Sequence, residues 1–393
     1  MPLMYVHGVG NRADKRYDLA EGARDSMFRR LLCPAVFGDP DKVVILSPYW
    51  GQHGADPVWG FATLPSAEAE SLGAPDDLVE LLPYGFVRTP NRTDTVLVEV
   101  AHSSIADAVD LLCTMMADGT LTSVADFVAA VVGYCEEKEA ARPWGSERGR
   151  FPWLADVHDD GAFVDRLCAE VAAWSATESP GSESFGGAGS VRDTMAAQVG
   201  RLHRSVAAWL TRPVADGARR LFGARLSMFI GDVLVYLAQR GTPGRPGPIP
   251  SVVAEALESA ASTRASADPL VVVAHSMGGN IVYDVLSHYR KDLEVDVLVT
   301  VGSQVGLFEE FKLFGASVGI HQDGRVPVAR PPNVGHWINV VDRSDILAYR
   351  TNPAFVGVDD YNYPSGAGWA HTAYLRQPFF YRRLAARIQE ASR

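Results

Sequence analysis

The sequence predicts an α/β fold with a doubly wound, mostly parallel sheet of about five to six strands. Two observations support this prediction. Short, strongly apolar runs typical of buried strands alternate with segments of helical periodicity. Polar residues gather directly after the ends of these runs, where doubly wound sheets place their binding sites. The predicted strands lie at residues 2–6, 43–46, 270–273, 295–301 and 337–341.

The first strand, 2–6, ends at the sequence His-Gly-Val-Gly of residues 7–10. Residues 13–32 follow with apolar side chains at helical spacing, which predicts a helix that leads to the strand at 43–46. A strand, a helix and a second strand in this order predict parallel neighbours joined by a right-handed crossover.

Residues 53–225 lack this alternation and form one large helical insertion, a cap or lid, between the second strand and the strand at 270–273. One strand is predicted in it, at 95–100. The Gly- and Ser-rich composition of residues 179–190 is typical of a mobile loop. Helices are predicted at 104–118, 121–139, 161–177 and 191–223.

The core therefore comprises residues 1–52 and 226–393. After the insertion, the strands at 270–273, 295–301 and 337–341 are accompanied by further helical patterns. These predicted helices lie at 228–237, 252–261, 280–286 and 378–391.

Composition excludes several function classes. The 393 residues are 47% hydrophobic and 21% charged, as in a soluble globular protein. A net charge of −11 argues against a nucleic-acid partner, because phosphate backbones select clustered Lys and Arg. The four cysteines form no CxxC pair, which argues against a structural zinc site. With no secretory signal or membrane span in the sequence, we expect a cytoplasmic protein without metal or cofactor, and the oligomeric state stays open.

The most informative segment is 270–286, in which a strand, a tight turn and a helix surround Ser276. The turn has the pattern small-x-Ser-x-Gly, with small residues at Ala274, Gly278 and Gly279. Small neighbours allow the strand and helix to approach closely while the serine is held exposed above the sheet. The alternative interpretation is a chance match or a phosphate-binding glycine turn.

A serine nucleophile needs a base, and a base needs an acid that orients it. Among the ten histidines only His371 follows all the predicted strands, in the sequence Gly-Trp-Ala-His-Thr of 368–372. His275 adjoins the serine but is directed along the strand. The candidate acids are Asp342 and Asp345, which follow the strand at 337–341.

These motifs, in this order, resemble the serine hydrolases of the α/β-hydrolase superfamily, most closely the lipase and esterase branch. The resemblance covers about residues 1–52 and 226–393 and rests on residues 7–10, 274–279, 342–345 and 370–371. Two departures are Ala274, where glycine is common, and the absence of the first two strands of the family's sheet, which implies a minimal core.

The resemblance implies a role for each matching residue. Ser276 attacks a carbonyl carbon, His371 accepts its proton and Asp345 holds the imidazole. Asp345 takes the aspartate position of the family's Gly-x-x-Asp spacing, and Asp342 is either the alternative acid or a cap of the turn. The oxyanion hole is expected from two backbone N–H groups. The two N–H groups belong to Val9 and Met277. Five further residues are expected to support the motifs: His7, Gly8, Gly10, His275 and Gly278.

The function expected from this resemblance is hydrolysis of a carboxylic ester by way of an acyl-enzyme. The same triad serves amidases, thioesterases and acyltransferases, and the scaffold also serves cofactor-free lyases and haloperoxidases. A regulatory protein that keeps the fold without turnover is the alternative of a different class.

The substrate is expected to be a small-molecule or lipid-like acyl compound, with the insertion covering Ser276. A contact between the cap and a membrane surface is left open. The aromatic residues of the insertion either line an acyl pocket or form the insertion's own core. They are Trp59, Phe61, Phe86, Trp144, Phe151, Trp153, Trp174 and Phe185.

Overall fold

The computed structural model describes residues 2–64, 94–178, 188–211, 215–265, 268–317, 326–367 and 370–392. Its centre is a six-stranded sheet in the order β10-β8-β6-β5-β1-β2. The strands of this sheet are β1 (Pro2–Val6), β2 (Val44–Leu46), β5 (Val271–His275), β6 (Val295–Val301), β8 (Val334–Val341) and β10 (Asp359–Asn362). Two small two-stranded sheets pair β3 (Gly241–Thr242) with β4 (Arg245–Pro246) and β7 (Val328–Ala329) with β9 (Phe355–Val356).

All neighbouring strands of the central sheet run parallel. Val6 is in register with Ala274, and His275 is in register with Val301. The carboxyl ends of β1, β5 and β6 therefore meet at one edge of the sheet, next to the end of β8. The predicted α/β architecture with a largely parallel sheet is confirmed.

Helices lie on both faces of this sheet. In chain order, the helices up to residue 178 are α1 (Lys15–Met27), α2 (Cys33–Phe37), α3 (Val96–Ala101), α4 (Ile105–Thr114), α5 (Asp118–Ser123), α6 (Ala125–Ala141), α7 (Glu147–Arg150) and α8 (Asp160–Glu178). The helices from residue 188 onward are α9 (Ala188–Thr211), α10 (Ala215–Gln239), α11 (Pro248–Thr263), α12 (Met277–Asp284), α13 (Val305–Glu310), α14 (Ala370–Ala373) and α15 (Pro378–Ala391). π-helical turns span Phe28–Leu32 and Val285–Tyr289, and 3₁₀ turns span Pro40–Lys42, Gly51–His53, Pro152–Asp156 and Tyr374–Arg376.

Alternate residues of each strand point to opposite faces of the sheet, which creates two buried clusters. Leu3 and Tyr5 of β1 pack on the side of α1 and α15. Met4 and Val6 pack on the side of α11, α12 and α13. The apolar strands predicted from the sequence are buried for this reason, because helices cover both faces.

Residues of helices α3, α4, α6 and α8 belong to the first of these clusters. Helix α5 packs on α1, and both α4 and α6 pack on α15. A buried carboxylate links the two parts, since Asp110 of α4 accepts hydrogen bonds from the Tyr363 hydroxyl (2.7 Å) and the Phe379 backbone N–H (3.1 Å). The division of the chain into a core and an insertion stays a prediction.

Several expectations about elements need correction. A strand is predicted at residues 95–100, but Val96–Ala101 is helix α3. The buried carboxylate of Asp160 accepts hydrogen bonds from the N–H groups of Leu97 and Val98 (2.8 and 3.1 Å), which stabilises a helix start. This cap lies more than 60 residues away in sequence.

The single long helix predicted at 191–223 is instead two helices, α9 and α10. Pro213 lies in the sequence between them, and proline lacks the N–H that continues a helix. The boundary predicted at 225–226 falls inside α10. In the predicted loop at 179–190, residues 188–190 belong to α9 and the others lie outside the described residues.

The sixth strand, β10, was not among the predicted strands. Its sequence, Asp-Asp-Tyr-Asn, is polar because it forms the edge of the sheet and has a neighbour on one side. Within the described residues, no helix is long and apolar enough to cross a membrane.

Candidate active site

Ser276 lies in a strained turn between β5 and α12. Its backbone has φ 54° and ψ −129°, a conformation that side chains of L-residues rarely adopt. Such a conformation costs about 1–3 kcal/mol and persists only where the surroundings impose it. A Cβ atom at Gly278 would lie 2.4 Å from the Val6 carbonyl oxygen, so the turn requires a glycine there.

Ser276 was expected to be exposed on its turn, and this expectation is wrong: its exposed fraction is 1%. The loop after β1 passes directly over it. A Cβ atom at Gly8 would lie 2.7 Å from the Ser276 Cβ and 3.2 Å from its Oγ. The His371 ring contacts Ser276 from a second side, so the serine is buried by Gly8 and His371.

The structure brings Ser276, His371 and Asp345 together. His371 Nε2 lies 2.8 Å from Ser276 Oγ, and His371 Nδ1 lies 2.9 and 3.0 Å from the two Asp345 oxygens. A carboxylate only accepts hydrogen bonds, so Nδ1 carries the proton and donates to Asp345. Nε2 then has a free lone pair that accepts from the Ser276 hydroxyl.

Two further donors fix the Asp345 carboxylate. The Leu347 backbone N–H donates to Oδ1 (2.9 Å), and the Tyr374 hydroxyl donates to Oδ2 (3.1 Å). Burial and the nearby carboxylates raise the pKa of Tyr374 far above its ordinary value, which keeps this hydroxyl a donor. Tyr374 was missed in the sequence, because nothing in its local pattern marks it as a neighbour of Asp345.

Asp342, the alternative acid, caps the turn after β8. Its Oδ1 accepts from the Ser344 N–H (2.8 Å), and its Oδ2 accepts from the backbone N–H and the hydroxyl of Ser365 (2.7 and 2.6 Å). One oxygen is therefore occupied by a contact within the turn and the other by Ser365, whereas the contacts to the His371 ring belong to Asp345.

His7 holds the loop after β1. Its ring stacks on Trp50 with 4.8 Å between centroids, and its Nε2 accepts from the Trp50 backbone N–H (3.2 Å). Nδ1 donates to the Gly8 carbonyl (2.8 Å). Burial lowers the pKa of His7 to about 4, so the ring is neutral near pH 7.

His275 lies beside the site without contacting Ser276 Oγ through its ring. Its Nε2–H donates to the backbone carbonyl of His371 (2.7 Å), and the two imidazole rings are 5.0 Å apart. Burial, with the neighbouring His371 ring as a smaller cause, lowers the pKa of His275 to about 3. This residue supports the position of His371.

These two histidines give a pH dependence of stability. In the unfolded chain they titrate near the ordinary value of 6.5, whereas in the folded chain they stay neutral down to about pH 4 and pH 3. Between these limits the unfolded chain binds the extra protons, so each histidine lowers the free energy of unfolding as the pH falls. We expect the stability difference between wild type and either His7→Gln or His275→Gln to shrink from pH ~7 to pH ~4.5.

Urea unfolding across this range measures the effect, with the exposed His336→Gln as control. The quantity to compare is the difference in the free energy of unfolding between wild type and each variant, because other groups also titrate in this range. Burial raises the pKa of Asp110 to about 7, so this carboxyl stabilises the folded state as the pH falls, in wild type and variants alike. Parallel curves for wild type and both buried-site variants would contradict the prediction.

The predicted oxyanion donors are the backbone N–H groups of Met277 and Val9. Met277 begins α12, and the first N–H groups of a helix have no intrahelical acceptor. Val9 lies between Gly8, which approaches Ser276, and Gly10, which has φ 73°. The role of both N–H groups stays a prediction.

The described aromatic residues from the list above differ in burial. Phe151 and Trp153 are buried and contact Tyr134 and Phe163, and the half-buried Trp174 also contacts Tyr134, so these three pack within residues 53–225. Phe61 is half-buried, and Trp59 and Trp144 are exposed. Phe86 and Phe185 lie outside the described residues, and the expectation that the insertion covers Ser276 stays a prediction.

In the part of the chain that the structure describes, no group of three or more His, Cys, Asp or Glu side chains has the arrangement of a metal site. Comparison with known proteins gives no match to a family model, a curated protein or a solved structure.

Proposed function

We propose that the chain is a serine hydrolase of the α/β-hydrolase superfamily, similar to its lipase and esterase branch, that cleaves carboxylic esters. The observation that carries the proposal is the His371 ring, hydrogen-bonded to Ser276 through Nε2 and to Asp345 through Nδ1. A serine with a base that is itself oriented by a carboxylate is the arrangement of nucleophilic acyl transfer.

The mechanism follows from the hydrogen bonds. Ser276 Oγ attacks the ester carbonyl carbon while His371 Nε2 accepts the hydroxyl proton. The resulting imidazolium is stabilised by Asp345, to which Nδ1–H donates. His371 then returns the proton to the alkoxide that leaves, and Ser276 keeps the acyl group as an ester.

Water completes the cycle by the same steps. His371 accepts a proton from the attacking water, and the acyl group leaves Ser276 as a carboxylic acid. In both halves the carbonyl oxygen becomes an oxyanion, for which Val9 N–H and Met277 N–H are the proposed donors. Met277 also places the positive end of the α12 dipole at this position.

The substrate class is supported by an apolar side chain near the loop after β1. Met228 of α10 lies beside Gly10, where its Cγ would be 3.6 Å from an added Cβ. An apolar acyl chain gains roughly 0.8 kcal/mol for each methylene that it buries. We therefore propose lipid-like or other hydrophobic acyl esters as substrates.

Two measurements test this proposal. A fluorophosphonate probe is expected to label the folded protein at Ser276, because only an activated serine reacts with it. Across nitrophenyl esters of increasing acyl length, kcat/KM is expected to rise by up to about fourfold per buried methylene.

The outcomes separate the alternatives. A folded protein that is neither labelled nor active on any ester would support a regulatory protein that keeps the fold without turnover. Labelling with no preference beyond the acetyl ester would reject the hydrophobic substrate class and leave the serine mechanism in place. Activity on thioesters or transfer of the acyl group to an alcohol would assign the triad to one of the related reactions.

A further inference from the structure

Side-chain hydrogen bonds fix the peptide group that carries the Val9 N–H. The Gly8 carbonyl belongs to this peptide group, and it accepts from His7 Nδ1 (2.8 Å) and Asn11 Nδ2 (2.9 Å). In a planar trans peptide the N–H points opposite to the C=O. The Val9 N–H is therefore directed away from the side chains of His7 and Asn11.

The next peptide group, between Val9 and Gly10, is fixed by a carboxylate from another part of the chain. Asp232 lies in α10 and is fully buried. Its Oδ2 accepts from the Gly10 N–H (2.8 Å), and its Oδ1 accepts from the Ala55 N–H (2.7 Å) and Arg12 Nη2 (2.7 Å). Every one of these partners is a donor.

Close packing holds this carboxylate in place. A Cβ atom at Gly54 would lie 2.5 Å from Asp232 Oδ1, and one at Gly231 would lie 2.9 Å from the Ala55 Cβ. The Arg12 guanidinium neutralises the buried Asp232 carboxylate by forming an ion pair with it. It also donates to the Ala55 carbonyl (2.6 Å), so it binds both Asp232 and the segment that contacts Asp232. Helix α10 and the loop after β1 are thus connected through Asp232.

We propose that Asp232 is a positioning residue that holds the Val9 N–H in the orientation needed to stabilise the oxyanion, an inference that rests on the proposed function. It acts through the Val9–Gly10 peptide group. With the peptide groups on both sides of Val9 fixed, the donor needs no reorganisation when the oxyanion forms. A displacement of α10 therefore alters the rate of the chemical step.

The test is Asp232→Asn, which keeps the shape and removes the charge. One oxygen becomes an NH₂ group that faces donors, so at least one of the hydrogen bonds that Asp232 accepts is lost. We expect kcat to fall by about 10- to 100-fold with KM changed less than about twofold. Affinity for a trifluoromethyl ketone, which forms a tetrahedral oxyanion on Ser276, should fall in parallel with kcat.

Asp160→Asn is the matched control. Asp160 is equally buried and accepts from two backbone N–H groups and from His203 Nε2 (2.9 Å), but it lies in α8. We expect it to lose stability and to keep kcat. An unchanged kcat in Asp232→Asn, or an equal fall in both variants, would overturn the proposal.

Amide hydrogen exchange gives a readout that does not require turnover. Residues 7–11 are expected to exchange faster in Asp232→Asn than in wild type or Asp160→Asn under native conditions. Unchanged exchange in this segment would reject the positioning role whether or not the protein hydrolyses esters. A further outcome separates the two proposals. If wild type is neither labelled by the fluorophosphonate probe nor active, but residues 7–11 exchange faster in Asp232→Asn, the hydrolase function is refuted and the role of Asp232 in fixing the loop is retained.

Discussion

Replacing Ser276 with alanine is expected to lower ester turnover by about four orders of magnitude or more. The hydroxyl is the proposed nucleophile, and its Oγ lies 2.8 Å from the base that would activate it. The measurement is kcat with a short-chain nitrophenyl ester on purified, folded protein. Labelling by a fluorophosphonate probe should disappear in the same variant.

The fold is expected to survive this change. Alanine carries a Cβ as serine does, so the strained backbone at φ 54° is the same for both residues. The loss of one hydrogen bond to His371 costs about 1 kcal/mol. Ser104→Ala is a matched control, because it removes the N-cap hydrogen bond to Asp107 (3.1 Å) at a distance from the site and should retain full activity. Retention of most activity in Ser276→Ala would reject the serine mechanism.

The second large effect is expected from Asp345→Asn. An asparagine that turns its NH₂ group toward His371 Nδ1 favours the tautomer with the proton on Nε2, which cannot accept a proton from Ser276. We expect turnover to fall by on the order of 10⁴, with a folded protein. Circular dichroism and urea unfolding verify the fold, and kcat measures the loss.

Asp342→Asn serves as the matched control, because both residues are buried carboxylates of the same turn. It leaves an NH₂ donor facing the N–H group of either Ser344 or Ser365, which costs about 1–3 kcal/mol of stability. Activity per folded molecule should stay within about tenfold of wild type. A larger loss of turnover in Asp342→Asn than in Asp345→Asn would reverse the assignment of the acid.

Local pattern was enough for much of the fold. Strand β6 at Val295–Val301 and helix α15 at Pro378–Ala391 have the bounds that their apolar periodicity predicts. Both segments are long and strongly patterned, and their patterns match the faces that they bury. The same reasoning placed Ser276 at the end of a buried strand.

Other features depend on partners that are remote in sequence. Helix α3 has the composition of a strand, and the Asp160 carboxylate that caps it follows more than 60 residues later. Tyr374 and Asp232 have no distinctive neighbours in sequence, and the contact between Asp232 and Gly10 joins residues 222 positions apart. No local pattern carries such information. For the same reason the sequence did not indicate that Gly8 and His371 enclose Ser276.

The strand order of the central sheet has a consequence for biosynthesis. Strand β1 lies between β2 and β5, and β5 begins at Val271. At ribosomal rates of roughly 5–20 residues per second, β5 is made roughly 10–50 s after β1. Throughout that interval β1, whose side chains are buried on both faces in the finished protein, has only β2 as a neighbour. Nascent chains therefore expose an apolar strand until β5 has been made, and Asp345 and His371 are made later still than β5.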